Sequence, residues 1–390
     1  MNTNTVTNQP HQSPLIQAYD NGDIDQFKTL IDQGENINCQ TNNKQSLISH
    51  VIRNEEYITN NKEFFDILID KGVDLSHNSI NNGLLSLAII RQKDTYYARK
   101  LLENKVNPNS FGRYVRKSYD MFDNYAGRGT TAYGPPIFDA LFLDDIDYVK
   151  LLVEYKFDIN VCDHENRNVM EYFIESCSFN NKKSIEIFNL LIDYGFDLDM
   201  YDTTGANLLG TIVMSEKYHL LEILFEKYEN INVNHRNFEG LTPLMSTVQS
   251  GDIDAVKLLI RKGADLNCYN QDGYNALMIA VFENRTEIFK LLIDSGANLL
   301  SVNKDKNNNT ILHSLVERAN KFVINADDYS WFDDYYKILA KKQPELLSIK
   351  NNKGEMPIDI FKNKSKYTDN KKKLFNQLKS KYVLCEIKLR

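Results

Sequence analysis

The chain has 390 residues, 42% of them hydrophobic, and a formal net charge of −7 at pH 7, which is ample apolar material for a large buried core. Its first residues, MNTNTVTNQPHQSP, contain neither a basic nor an apolar region and exclude a signal peptide, and its longest apolar run, 84–90, is far shorter than the roughly 18 residues that span a bilayer. We therefore expect no membrane insertion and a cytoplasmic location, in the cell that makes the protein or in a host cell.

A polar N-terminal tail, predicted to be disordered over 1–12, precedes the first pair of predicted helices. The turn inside this pair, GDID at 22–25, returns as GDID at 251–254 and as DDID at 144–147, which indicates duplication. Nine repeating units follow when the residue that ends each second helix is aligned. We expect less regular helix ends where another residue replaces Gly, because Gly adopts the left-handed cap most easily. The aligned residues are Gly34, Gly72, Lys105, Lys156, Gly195, Tyr228, Gly263, Gly296 and Gln343.

The largest irregularity is an insertion at 110–134, which interleaves basic and aromatic residues. Arg and Tyr are enriched at binding hot spots, and insertions in repeat arrays often map to the binding face. Two interpretations stay open: an enlarged finger that contacts a partner, or a surface loop that folds its aromatic side chains onto its own repeats. The candidate contacts are Arg113, Tyr114, Arg116, Tyr119, Phe122, Tyr125, Arg128 and Tyr133.

The cleanest copy of the repeat lies at 239–275. Gly240 suits a tight turn, Thr242 can cap the following helix, and Pro243 fits the first helical position, where no N–H is needed. Gly240 returns 33 residues later as Gly273, just as Gly263 returns as Gly296. The predicted unit is therefore a turn followed by two helices.

The ninth unit is expanded, over 303–349, and contains the only Trp of the chain, Trp331, beside four carboxylates within 327–334. This segment is either a contact for a basic partner or a Trp that covers the end of the repeats. A capping half-repeat is predicted at 351–360. The last segment, 362–390, carries nine Lys and one Arg against two acidic residues and is predicted to be a basic C-terminal helix or tail.

The 33-residue period, with Thr242-Pro243-Leu244 at the start of the first helix, resembles the ankyrin-repeat family. The resemblance implies an all-α ankyrin-repeat solenoid of about nine helix-turn-helix units at 13–361, with short β-hairpin fingers and a C-terminal capping helix. It also implies that the chain is a scaffold that binds partner proteins through a concave face and finger loops. By their positions in the fingers, His164, Tyr201 and Tyr269 become candidate contacts.

Residues that could perform chemistry are few. Gly127-Arg128-Gly129 lacks the Gly-Lys-Ser/Thr of a phosphate-binding loop, and Cys162 with His164 supplies only two of the four ligands of a closed zinc site. Cys39, Cys162 and Cys268 are three repeats apart, or about 30 Å, which is too far for a disulfide. We therefore predict no enzyme activity, no cofactor and no metal site.

The sequence leaves the identity of the partner open. Abundant Asn, Lys, Ile and Tyr resemble the composition of ankyrin proteins from large DNA viruses and host-associated bacteria, so one hypothesis is a scaffold that engages host proteins. A second is an immunity protein that blocks a toxin, since an acidic body would favour association with a basic toxin. A third is nucleic-acid binding through 362–390, which the acidic body disfavours because it repels phosphates.

Overall fold

The structure, a computed structural model, describes residues 12–76, 83–91, 94–115, 131–176, 182–303, 307–322, 330–361 and 376. Within these ranges the chain forms a succession of short α-helices, one antiparallel β-hairpin and two 3₁₀ helices. It divides into two compact units, Met1–Met200 and Tyr201–Arg390. The predicted all-α class is confirmed. No helix in the described ranges combines the length and the apolar character needed to cross a bilayer.

The described part of the first unit contains ten helices and the hairpin. Helices α3, α5, α7 and α9 contact one another in that order, and each of α3, α5 and α7 also packs on the helix that follows it. Strand β1 contacts both α5 and α7, so the hairpin is attached at the start of two neighbouring repeats. The bounds are α1 (Pro14–Asp20), α2 (Ile24–Asp32), α3 (Leu47–Arg53), α4 (Asn61–Asp70), α5 (Leu84–Arg91), α6 (Tyr96–Glu103), β1 (Gly112–Val115), β2 (Thr131–Gly134), α7 (Pro136–Phe142), α8 (Ile146–Glu154), α9 (Val169–Ser176) and α10 (Lys182–Asp193).

The second unit has the same organisation. Its first helices, α11, α13, α15 and α17, form one row, and the last 3₁₀ helix packs on α17 where the next first helix would lie. The bounds are α11 (Leu208–Met214), α12 (His219–Lys227), α13 (Pro243–Ser250), α14 (Ile253–Arg261), α15 (Ala276–Phe282), α16 (Thr286–Asp294), α17 (Ile311–Phe322) and α18 (Ser330–Lys342), followed by 3₁₀ helices at Pro344–Leu347 and Pro357–Phe361.

Capping residues fix where the helices of each repeat begin, as α13 and α14 illustrate. The Thr242 hydroxyl oxygen accepts a hydrogen bond from the backbone N–H of Met245, and Pro243 is the first residue of α13. The Asp252 carboxylate accepts from the backbone N–H of Asp254 and so caps α14. Each bond satisfies an N–H that has no partner inside the helix.

The ends of the second helices agree with the glycine alignment at some positions and depart from it at others. Gly263 and Gly296 have left-handed φ angles of 88° and 93°. Lys105 and Lys156 also adopt left-handed backbone, with φ angles of 65° and 56°, so the expectation of less regular ends was wrong there. Two backbone hydrogen bonds hold each turn, as between Lys105 and Leu102 at 3.0 Å, and these outweigh the cost of a Cβ in this conformation.

Hydrogen-bonded tyrosines occupy the interior of the first unit. Tyr19 and Tyr97 are fully buried and both bond the side chain of Asn61, the first residue of α4. The Tyr19 hydroxyl donates to Oδ1 at 2.8 Å, while the Asn61 amide donates to the Val51 carbonyl at 2.9 Å and to the Tyr97 oxygen at 3.1 Å. One amide thus satisfies polar groups from three successive repeats, which lets large polar side chains serve as core.

Candidate functional site

The hairpin in the first unit lies within the insertion that sequence analysis selected. Arg113 pairs with Tyr133 and Tyr114 pairs with Ala132 in the antiparallel ladder. The structure gives the backbone position of these residues. Among the other candidates, Arg116, Tyr119, Phe122, Tyr125 and Arg128 lie outside the described residues, so both interpretations of the insertion stay predictions.

The base of the hairpin is packed tightly against the first helices. A Cβ built on Gly112 would lie 2.3 Å from the Ser86 Oγ of α5, so only glycine fits at this position. Asp139 of α7 is 1% exposed, and within the described residues no group meets either of its carboxylate oxygens at good hydrogen-bond geometry. Burial raises the pKa of the Asp139 carboxyl well above its ordinary value, and the nearby Ser86 hydroxyl opposes that effect.

Two further candidates, Trp331 and the basic segment 362–390, lie at the C-terminal end of the chain. Trp331 is the second residue of α18, and its side chain lies outside the described set. The basic segment 362–390 is likewise outside it, apart from the single residue 376. Their predicted roles therefore stay predictions.

His164 is exposed at the tip of a finger that a buried ion pair supports. The adjacent Asp163 carboxylate accepts from the backbone N–H groups of Glu165 and Arg167 at 2.8 and 3.0 Å. The Arg167 guanidinium donates to the same carboxylate at 2.9 and 2.6 Å, and these two side chains are 6% and 0% exposed. Asp163 therefore organises the turn that presents His164.

Three of the large apolar side chains that are exposed in the described part of the second unit lie close together. Tyr201, Met214 and Phe238 are 58%, 43% and 66% exposed, and we call them the finger patch. Two polar residues connect them, since Thr204 Oγ1 lies 3.6 Å and Asn237 Nδ2 lies 3.8 Å from the sulfur of Met214. Sequence analysis selected only Tyr201 of the three.

The finger patch is fixed by contacts between two successive fingers. The backbone N–H of Phe238 donates to the Thr204 carbonyl at 2.9 Å, and the Phe238 ring covers Gly205. The Tyr201 ring packs on the His235 ring with their centroids 4.9 Å apart, and a ring nitrogen of His235 lies 2.8 Å from the Gly205 carbonyl oxygen. These aromatic side chains are therefore held in place while exposed.

The next finger is connected in the same way. The Gln271 backbone N–H donates to the Glu239 carbonyl at 2.9 Å, and its side-chain amide donates to the Phe238 carbonyl. Arg236 donates to the carbonyl of Tyr269 at 2.5 Å. Tyr269, another candidate from the sequence, is half-buried at this junction.

Asparagine side chains also connect successive repeats along each unit. In every case Oδ1 accepts a hydrogen bond from a backbone N–H about one repeat later. These bonds connect neighbouring fingers in addition to the packing of the helices. The pairs are Asn38 to Asp74 (2.8 Å), Asn109 to Asp158 (2.9 Å), Asn160 to Asp197 (3.0 Å), Asn234 to Asp265 (2.7 Å) and Asn267 to Asn298 (2.9 Å).

A groove of about 650 Å³ opens next to the finger patch, beginning at the residue after Phe238. Tyr274 and Phe282 meet edge to face within it, with centroids 5.0 Å apart. Three of its lining residues are acidic and exposed, so we call it the acidic groove. It is lined by Glu239, Leu241, Gln249, Asn270, Gln271, Asp272, Tyr274, Ile279, Phe282 and Glu283.

Sequence analysis did not identify Phe238, which lies in a turn outside the helical periodicity, or Met214 and the acidic groove, which depend on how neighbouring repeats pack. Phe238 sits in the turn Asn237-Phe238-Glu239-Gly240, and residues at such turns are normally polar. A large aromatic residue inside a turn signature was the signal that could have identified it.

The described residues contain no group of three or more His, Cys, Asp or Glu that could hold a metal ion. Cys162 and His164 therefore gain no further ligand within these ranges. His313 is buried between the Thr310 hydroxyl at 2.8 Å and the Glu355 carbonyl at 2.9 Å. Burial lowers the pKa of its ring, in keeping with a bracing role.

Comparison with known proteins places the repeats in context. Residues 173–270 and 244–326 match the family model for ankyrin repeats, with three copies. A putative ankyrin repeat protein of Rickettsia felis is 34% identical over 64 residues, which are 16% of this chain and 21% of that protein. Alpha-latrocrustotoxin-Lt1a of Latrodectus tredecimguttatus is 32% identical over 123 residues, 31% of this chain and 8% of the toxin. The similarity thus covers only a small part of each relative.

Proposed function

The chain is an ankyrin-repeat protein, and we propose that it acts as a non-enzymatic scaffold whose finger patch anchors a partner protein. Ankyrin repeats are protein–protein interaction modules. We propose that the partner contacts Tyr201, Met214 and Phe238, together with the first helices of the repeats beside them.

The exposure of the finger patch is the observation that carries this proposal. Monomeric proteins expose single apolar residues routinely, but adjacent large ones on a concave or flat surface mark interaction sites. Aromatic residues dominate the hot spots of protein interfaces. Because the Phe238 backbone and the Tyr201 ring are already fixed by their neighbours, binding would cost little ordering entropy.

The hairpin insertion is proposed as a second contact region in the same scaffold. Its base is anchored between α5 and α7, and its sequence is rich in Arg and Tyr. The proposal for this region rests on residue type and on the attachment of the hairpin. It is therefore tested separately from the finger patch.

Affinity capture with the full chain tests both regions. The variants are Tyr201→Ala with Phe238→Ala, and a chain in which residues 113–133 are replaced by a short turn. Tyr57→Ala is the matched control, since Tyr57 is an 80% exposed aromatic in the first unit. We expect a protein recovered by wild type and by the control to be lost with the double variant.

The hairpin variant decides whether the insertion contributes. Recovery of the same protein by wild type and by the double variant would reject the finger patch as the anchor. The source of the recovered protein, from a host extract or from the producing cell, then distinguishes a host-directed scaffold from an immunity protein. A recovered toxin that is inhibited on binding would favour the latter.

A further inference from the structure

The carboxylates of the acidic groove form no ion pair within the described residues. Glu239, Asp272 and Glu283 are exposed, and within the described residues none of them lies within 4 Å of a cationic side chain. Other exposed carboxylates of this unit do pair, as Asp254 with Lys257 at 2.8 Å and Asp294 with Lys342 at 2.9 Å.

The cationic groups near the groove are directed at backbone carbonyls. Arg236 donates to the carbonyls of Tyr269 and Gly240 at 2.5 and 3.3 Å. Arg285 donates to the carbonyls of Gln249 and Ser250 at 2.8 and 2.7 Å. These arginines serve the turns of the fold.

Arg318 also lies near this end of the groove. Its guanidinium donates to the Phe282 carbonyl at 2.7 Å, and it interacts with Glu283 at longer range. Among the residues that line the groove, three are carboxylates and none is Lys or Arg, because the nearby guanidinium groups are held at backbone carbonyls.

The rest of the groove suits a long cationic side chain. Leu241, Tyr274 and Phe282 are half-buried and offer apolar surface to an aliphatic stem. An aromatic face attracts an ammonium or guanidinium group, and carboxylates at the rim accept its hydrogen bonds. A Lys or Arg side chain satisfies all three features at once.

The groove and the finger patch are also neighbours along the row of repeats. Phe238 belongs to the patch and Glu239 to the groove, and the groove extends over the following repeat to Glu283. Neighbouring helices pack about 8 to 10 Å apart, and an extended peptide advances about 3.3 Å a residue. Two side chains about three residues apart would therefore reach both sites.

We propose that the acidic groove accepts a Lys or Arg side chain of an extended partner segment, whose apolar anchor about three residues away sits on the finger patch. The inference rests on the proposed function, because it assumes that the patch binds the same partner. It adds the chemical class of the segment and the spacing of its two determinants.

The test uses the full chain and a displayed library of random 12-residue peptides. Selected sequences are synthesised, and their affinities are measured by fluorescence anisotropy at low and physiological salt. We expect selection of peptides with Lys or Arg about three residues from an aromatic or aliphatic residue. Absence of enrichment, or enrichment without a basic residue at that spacing, overturns the inference.

Matched charge variants then locate the effect. Glu239→Gln with Asp272→Asn and Glu283→Gln removes three charges in the groove, and we expect about tenfold weaker binding, since exposed pairs contribute a few-fold each. The control removes three charges elsewhere in the same unit. Binding within about twofold of wild type is expected for the control, whose changes are Asp254→Asn, Glu287→Gln and Asp294→Asn.

The variants keep the two proposals distinguishable. If Tyr201→Ala with Phe238→Ala abolishes peptide binding while the groove variant does not weaken it, the proposed function stands and the inference fails. If the control weakens binding as much as the groove variant, net charge alone explains the effect and the inference fails.

A synthetic peptide of residues 362–390 tests whether the chain's own tail occupies the groove. If this peptide binds as tightly as the selected peptides and its binding disappears in the groove variant, the tail is the occupant and the partner assignment is overturned.

Discussion

The ring of Phe238 lies directly over Gly205, so that a Cβ added at Gly205 would come within 2.5 Å of a ring carbon. Gly205 also has a left-handed φ of 81°. We expect Gly205→Ala to lower the free energy of unfolding by about 2 to 5 kcal/mol, because the backbone conformation costs about 1 to 2 kcal/mol and the displaced ring costs about 1 to 3 kcal/mol more. Urea denaturation measures the loss.

Gly263→Ala separates the two contributions. Gly263 has a similar φ of 88°, but a Cβ there would meet nothing within 4 Å. We expect a loss of only about 1 to 2 kcal/mol from the backbone. Equal losses in the two variants would show that the Phe238 ring moves aside without cost.

The sequence predicts the repeats better than the surface they create. The 33-residue return of Gly240 and Gly263 locates the turns and helix ends, because these depend on local backbone conformation. Lys105 shows the limit of that reasoning, since the hydrogen bonds of the turn impose a left-handed φ on a residue that disfavours it. The exposed Phe238 depends on how one finger lies against the preceding one. Such a contact has no periodic signal.

The asparagine side chains that connect successive repeats show the same difference between what the sequence predicts and what depends on packing. An Asn near the end of each repeat, such as Asn234 or Asn267, is evident in the sequence, but its bond to the next repeat depends on stacking. Residues Arg116 to Arg128 of the insertion stay predicted only from residue type. Their role in binding follows neither from period nor from the hairpin base.

Asn61 provides a test of the buried polar network. Asn61→Leu keeps a similar volume but removes the hydrogen bonds of Asn61 with the Tyr19 and Tyr97 hydroxyls and with the Val51 carbonyl. The Val51 carbonyl keeps the backbone N–H of Asn54 at 3.2 Å and the Tyr19 hydroxyl at 3.4 Å. Buried polar groups left without partners cost about 1 to 3 kcal/mol each, and partial rearrangement reduces the sum, so we expect a loss of about 2 to 4 kcal/mol in urea denaturation.

An exposed asparagine is the appropriate control for that variant. The Asn104 amide donates to the Lys100 carbonyl at 2.9 Å on the surface. Asn104→Ala should cost less than about 1 kcal/mol because water replaces the bond. A comparable loss from both substitutions would contradict a special role for burial.

Arg167 tests the ion pair beneath the finger that presents His164. Arg167→Ala leaves the buried Asp163 carboxylate without its 2.6 Å partner, and we expect a loss of about 3 to 5 kcal/mol. Arg99→Ala breaks a pair with Glu154 at 2.9 Å in which both side chains are about half exposed, and should cost less than about 1 kcal/mol. Denaturation of both variants at one pH provides the comparison, and similar losses would contradict the argument.

Asp139 should make stability depend on pH in an unusual direction. Burial raises the pKa of Asp139 in the folded state. At pH values above the ordinary pKa of Asp, about 3.9, and below the pKa in the folded state, the folded chain therefore retains a proton that the unfolded chain releases. The contribution of Asp139 to the free energy of unfolding therefore falls as pH rises through this window, by at most about 1.4 kcal/mol per pH unit. Asp139→Asn removes this dependence and should be increasingly stable relative to wild type from pH 4 to pH 7.

The control for Asp139 has the opposite sign. The hydrogen bond from Lys257 lowers the pKa of Asp254, so its contribution is present above the ordinary pKa and is lost as pH falls through the lowered value. Urea denaturation from pH 3 to pH 7 should give diverging curves for wild type and Asp139→Asn toward neutral pH. For Asp254→Asn, any divergence from wild type should be smaller and should close toward acid pH. Parallel curves for wild type and Asp139→Asn would mean that the buried carboxyl has partners in the folded chain that hold its pKa near the ordinary value.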